Sequence, residues 1–243
     1  MKRVWELALL VLAAIVAGAI PAFAQGVYAP GVELQNYFSN ASTTGGQAYV
    51  NIIAPLEGDT TGPSAAVREG ETCAMIYVLD TDQALQTCCG CPITADGLLT
   101  LSISGNLAPN PLATGQLLHD GSIRILSAAP NATFNGNLVT PPFESCDTVN
   151  GVCCDPTGSG GSEALTPVHE LVAWATHVQN TQITEQVFEV IAGSLTFDGA
   201  GNVHPDTPVE LDPDFANLPE SCADTIRLGS GQGFCTCGSP VSG

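Results

Sequence analysis

The sequence is nearly without cations. Of its 243 residues only five are lysine or arginine, the single lysine is Lys2, and 24 are acidic, for a formal net charge of −19. Nucleic acids and anionic lipid surfaces are gripped by clustered Lys and Arg. Beyond residue 24 only Arg68, Arg124 and Arg227 remain, far apart in sequence, so neither partner is expected. With no lysine there, Schiff-base chemistry is excluded as well. Long apolar runs are equally scarce: after the first two dozen residues no segment approaches the roughly 20 residues needed to cross a bilayer. The chain also lacks a G-x-S-x-G elbow, a P-loop and a G-x-G-x-x-G turn after a strand, so no cofactor is expected.

The N-terminus reads as an export signal. Lys2 and Arg3 precede an apolar run from Leu7 to Ile20, and Ala22-Phe23-Ala24 offers small residues for cleavage before Gln25. Removing residues 1–24 would leave a chain of net charge −20, since Lys2, Arg3 and Glu6 go with them. The expected location is secreted, periplasmic or on the cell surface, with no membrane insertion after cleavage. Self-repulsion at this charge favours solubility; weak capture of divalent cations and an extracellular surface partner are the partner classes the acidity leaves.

Residues 25–243 suit a single domain with its own core, and Thr157-Gly-Ser-Gly-Gly-Ser162 is a flexible loop or boundary by composition. Gly, Pro, Ser, Thr and Asn punctuate the chain every 8–15 residues or so, which favours many short strands. Strands are expected at Gln47–Ile53, Cys73–Leu79, Leu98–Ile103, Ser122–Ser127 and Ser194–Phe197. Asp80-Thr-Asp-Gln83 reads as a turn that sends Ala84–Cys89 back antiparallel. The stretch 166–180 fits either a helix opened by Thr166-Pro167 or a strand pairing with Ile183–Ile191; alternation in the second partner favours strand. A helix is expected over Pro213–Leu228, with Phe215, Leu218, Cys222, Thr225 and Ile226 on one face and Gly229 as its stop. The fold class that follows is mainly β, an antiparallel β-sandwich with disulfides and one short C-terminal helix.

Ten cysteines lie at Cys73, Cys88, Cys89, Cys91, Cys146, Cys153, Cys154, Cys222, Cys235 and Cys237. An even number in an exported chain reads first as disulfides. Adjacent cysteines rarely bridge each other, so Cys88 and Cys89 need separate partners, as do Cys153 and Cys154. Loop length favours Cys146 with Cys153 or Cys154, and Cys222 with Cys235 or Cys237. The competing reading is a thiolate site for Zn²⁺ or Cu(I), but only Cys88–Cys91 has C-x₂-C spacing and it has no second half. No metal site is expected.

Catalytic residues are not identified. His169-Glu170 opens like a zinc-protease helix, but Ala173 stands where the second histidine belongs; His177 and His204 could complete a looser set. Asp80-Thr-Asp82 resembles the start of a calcium loop but lacks its Gly and Glu, and Asn40 and Asn131 sit in glycosylation sequons.

Cys73–Asp82, Cys88-Cys-Gly-Cys-Pro92, Leu99–Ile103 and Gly231–Gly238 resemble segments of a group of exported, cysteine-rich bacterial proteins with no assigned activity. The resemblance implies export and a shared architecture. The leading expectation is a non-catalytic structural or binding protein of the cell envelope or extracellular space. The alternatives are a secreted hydrolase using carboxylates or His169 and His177, and a thiolate metal-binding protein.

Overall fold

The computed structural model describes residues 33–39, 41, 46–54, 72–94, 96–112, 118–128, 132–133, 145–147, 152–157, 171–179, 182–192, 217–228 and 232–238. The expected export signal, the expected loop or boundary at 157–162 beyond residue 157, His169, His204, both sequon asparagines and the strand expected at Ser194–Phe197 lie outside them.

Twelve strands are described: β1 Glu33–Phe38, β2 Gly46–Ile53, β3 Thr72–Leu79, β4 Leu85–Ile93, β5 Leu98–Ser102, β6 Gly121–Ala128, β7 Ala132–Thr133, β8 Ser145–Asp147, β9 Val152–Cys154, β10 Val172–Gln179, β11 Gln182–Val187 and β12 Glu189–Ala192. One helix, α1, spans Leu218–Leu228. The strands form a five-stranded sheet ordered β12-β1-β6-β3-β4, a four-stranded sheet ordered β11-β10-β2-β5 and a small sheet ordered β7-β9-β8. Every strand pairing is antiparallel.

The two larger sheets pack face to face, as the expected sandwich requires. Side chains alternate across a strand, and the alternation sorts β3 cleanly. Ala74, Ile76 and Val78 enter the inter-sheet core with Leu34, Val50, Ile52, Leu101, Ile123 and Ile125. Cys73, Met75, Tyr77 and Leu79 point the other way, into a second apolar layer with Leu126, Cys154, Leu218 and Cys222. The five-stranded sheet is therefore covered on both faces, and all eight residues of β3 and of β6 are buried.

The four-stranded sheet is one-sided. In β5, Leu99 and Leu101 are buried while Leu98 and Thr100 are exposed, the alternation of a strand with one wet face. On that outer face Asn51 joins three strands, accepting from Thr100 Oγ1 at 2.9 Å and donating to Thr176 Oγ1 at 3.1 Å. The stretch 172–179 is a strand, with Val178 opposite Ile183 and Trp174 opposite Val187. Its core side consists of the small Ala173 and Ala175, continuing from the buried Leu171 just before it, whereas Val172, Trp174 and Thr176 are half-buried.

The helix expected over 213–228 is described from Leu218, with Pro219 in the first turn, where its missing N–H costs nothing. Leu218, Cys222 and Thr225 form its buried side. A π-helical turn, Ile103–Leu107, follows β5 directly.

Candidate functional site

The sequence Cys88-Cys89-Gly90-Cys91 lies in β4, at one edge of the five-stranded sheet. Pro92, which cannot donate to a ladder, is tolerated in such an edge position. Alternation splits the motif between the two faces: Cys88 belongs to the outer apolar layer, Cys89 and Cys91 to the inter-sheet core. The hairpin that aims it is closed by Asp80. One carboxylate oxygen accepts from the backbone N–H groups of Asp82 and Ala84, both at 2.9 Å, and the other accepts from Gln86 Nε2 at 2.7 Å. Gln83 takes a positive φ of 61° to complete the turn.

Each face of β4 is then cross-linked to a different part of the chain. Outward, Cys88 bonds Cys222 on α1. Inward, Cys89 bonds Cys235 and Cys91 bonds Cys237. The tail 232–238 runs parallel along the free edge of β4, with Cys88 opposite Phe234. Cys88 N–H donates to the Gly233 carbonyl at 3.0 Å and Cys235 N–H to the Cys88 carbonyl at 3.3 Å. Both inner bridges have the same sequence separation, 146, as a parallel pairing in constant register demands. The tail is held from its other side by Gly233 N–H donating to the Asn110 carbonyl and Thr236 N–H to that of Asn106, each at 2.8 Å. An edge strand's unpaired backbone groups invite pairing with other chains; here the protein's own tail takes that place.

The fourth bridge, Cys73–Cys154, ties β3 to β9 across the outer face. It explains the glycine of the motif. Gly90 pairs with Met75 and faces outward, and a Cβ there would fall 2.8 Å from the carbonyl carbon of Cys154. Only glycine lets the β9 backbone lie this close to β4.

Two of the sequence-derived pairings are corrected. Cys222 does not reach Cys235 or Cys237, because α1 covers the outer face while the tail cysteines point to the inner one. Cys154 is taken by Cys73, which excludes Cys146–Cys154. Cys146 and Cys153 stand directly opposite each other in the β8–β9 register, and their side chains lie outside those described. As expected of adjacent cysteines, Cys88 and Cys89 have separate partners. The Cys88–Cys91 spacing cannot chelate one ion, since the two sulfurs lie on opposite faces.

Buried polar groups also occupy the outer face, among them Tyr77, Asp155 and Arg124. The Tyr77 hydroxyl, fully buried, donates to the Pro156 carbonyl at 2.7 Å. Burial first, and then the negative charge of Asp155, hold its pKa well above the usual tyrosine value. Asp155 accepts from Thr157 N–H at 2.9 Å and Oγ1 at 2.6 Å. Arg124, between Gln35 and Tyr77 in the sheet register, is only 8% exposed, and its Nε and Nη1 have no hydrogen-bond partner among the described residues. Sequence reasoning passed over this arginine; a lone cation amid the apolar alternation of β6 was the available signal.

Of the histidines singled out from sequence, His177 alone lies in a described segment. His177 lies on β10 opposite Thr184 and Ala48, with its side chain outside those described. No protein-family model, no curated protein and no solved structure matches this chain.

Proposed function

We propose that the protein is an exported, non-catalytic structural or binding module of the cell envelope or extracellular space, its first 24 residues removed on export. The observation that carries this reading is the concentration of cross-links on one sheet. Three of the four bridges start on β4, and the fourth ties β3 to β9. Such bridges persist in oxidising surroundings and are rare where glutathione and thioredoxin keep thiols reduced. Each contributes about 2–4 kcal/mol, and together they fasten both chain-distant pieces, α1 and the tail, to the sheet. A net charge of −20 after signal removal keeps such a module soluble and repels nucleic acid.

The reading includes a fifth bridge, Cys146–Cys153. Directly opposite residues of an antiparallel pair have Cα atoms about 4.5–5.5 Å apart, within the usual span of a disulfide. Intact-mass analysis of protein isolated from the producing cells, with thiols trapped at lysis, tests the whole proposal. The expected species begins at Gln25, lies outside the cytoplasm and has ten oxidised cysteines. A cytoplasmic chain starting at Met1 with alkylatable thiols would refute it.

A further inference from the structure

The two inner bridges bring four sulfurs into one cluster. Cys89 and Cys91 lie two residues apart on β4, Cys235 and Cys237 two apart on the tail, and each pair is joined to the other. The Sγ atoms of Cys89 and Cys91, which belong to different bridges, are 3.9 Å apart. Those of Cys89, Cys91 and Cys237 all lie within 4.8 Å of one another, and Cys235 Sγ is bonded to Cys89. A tetrahedral Zn²⁺ with Zn–S bonds of about 2.3 Å holds its ligand sulfurs about 3.8 Å from each other. The Cys89–Cys91 separation already matches that figure. Cys235, which lies outside the 4.8 Å group, must swing in as the two partners within each bridge move apart.

We propose that Cys89, Cys91, Cys235 and Cys237, once reduced, form a tetrathiolate site for Zn²⁺. The chemistry balances with a dithiol as reductant. Each protein disulfide accepts two electrons and two protons from one dithiol, which closes to its own disulfide. The four resulting thiols release four protons as Zn²⁺ binds, leaving a centre of net charge −2. Soft thiolate ligands in a tetrahedral set favour zinc over calcium or magnesium.

The surroundings suit this exchange. Cys89, Cys91 and Cys235 are buried, while Cys237 is half-buried between the exposed Thr236 and Gly238, so a reductant meets the Cys91–Cys237 bridge first. The frame does not depend on the sulfurs alone. β4 stays paired with β3 along its length, and the tail keeps its backbone hydrogen bonds to Cys88, Asn106 and Asn110. The same four residues thus serve as two cross-links in oxidising surroundings and as a metal centre in reducing ones. This goes beyond the export reading and does not rest on it.

The test begins with the oxidised, exported chain, reduced anaerobically with a water-soluble phosphine and freed of it. Co²⁺ alone is then titrated in as a spectroscopic probe. The expected result is one Co²⁺ per chain with thiolate charge-transfer and tetrahedral ligand-field bands, displaced by one equivalent of Zn²⁺, and a retained β-sheet circular dichroism. Cys91→Ser/Cys237→Ser keeps the other bridges and so folds when oxidised; after reduction it should bind Co²⁺ at least 100-fold more weakly. Cys73→Ser/Cys154→Ser, remote from the cluster, should bind like the parent. Absence of stoichiometric binding overturns the proposal. So does equal binding by the Cys91/Cys237 variant, or a sheet signal lost on reduction that metal does not restore.

Discussion

The two faces of the five-stranded sheet are covered in different ways. The inner face meets the four-stranded sheet, a partner with a continuous apolar side of its own; between the described residues of these two sheets runs no disulfide. The outer face meets an 11-residue helix and a sheet whose strands are two or three residues long. Helices shorter than about 12–15 residues are marginal in water, and small hairpins are little better. Those pieces are the ones held by Cys88–Cys222 and Cys73–Cys154. On this face the cross-links stand where a covering element is too small to stay by packing alone.

The largest expected effect comes from denying the outer cover its seat. Gly90→Val places side-chain atoms on the Cys154 backbone and should cost about 3 kcal/mol or more, read as a lowered midpoint of denaturant unfolding. An unchanged midpoint would mean that β9 does not lie against β4. Next, Cys88→Ala/Cys222→Ala should cost about 2–4 kcal/mol and speed amide exchange in α1 while leaving β2 and β5 protected. Uniform loss of protection across both sheets would break the contrast between the two faces.

Arg124→Met has the opposite sign. The guanidinium is desolvated without partners for Nε and Nη1, and an apolar chain of similar length should stabilise the protein by about 1–2 kcal/mol. A destabilised variant would show that the charge is compensated. The smallest effect is confined to alkaline pH. Tyr77 has its folded-state pKa raised above the ordinary value of 10.0. Its contribution is therefore complete below about pH 10 and falls as pH rises past it, because the unfolded chain gives up the proton first. Tyr77→Phe should flatten that fall in stability measured between pH 9 and 11.5 or so. An equal slope in both proteins would remove Tyr77 from the account.

Much of the sandwich was legible because its strands carry period-2 or continuous apolar patterns: β2, β3, β5, β6 and β10 all fall on segments singled out from sequence. β1 was not, since Glu33-Leu-Gln-Asn-Tyr-Phe38 reads as polar. Its Gln35 and Asn36 are buried nonetheless, and Gln35 Nε2 donates to the Tyr37 hydroxyl at 2.8 Å. The polar residues of β6, Ser122 and Arg124 on its outer face and Ser127 on its inner one, are covered as well. That cover comes from elements distant in sequence, which local pattern does not record. The cysteine pairing was illegible for the same reason. Loop length favoured near neighbours, whereas the four described bridges span 81 to 146 residues. One clue was present in the spacing: Cys89-x-Cys91 and Cys235-x-Cys237 share the i, i+2 interval that puts two sulfurs on one strand face.

The most direct measurement is disulfide mapping at acidic pH, where exchange is suppressed, using fragmentation between Cys88 and Cys89 to separate their partners. The expected map joins Cys88 to Cys222, Cys89 to Cys235 and Cys91 to Cys237. Cys222 found bonded to either tail cysteine would contradict it, because one helix cannot cover the outer face of β4 and also be tied to the inner one.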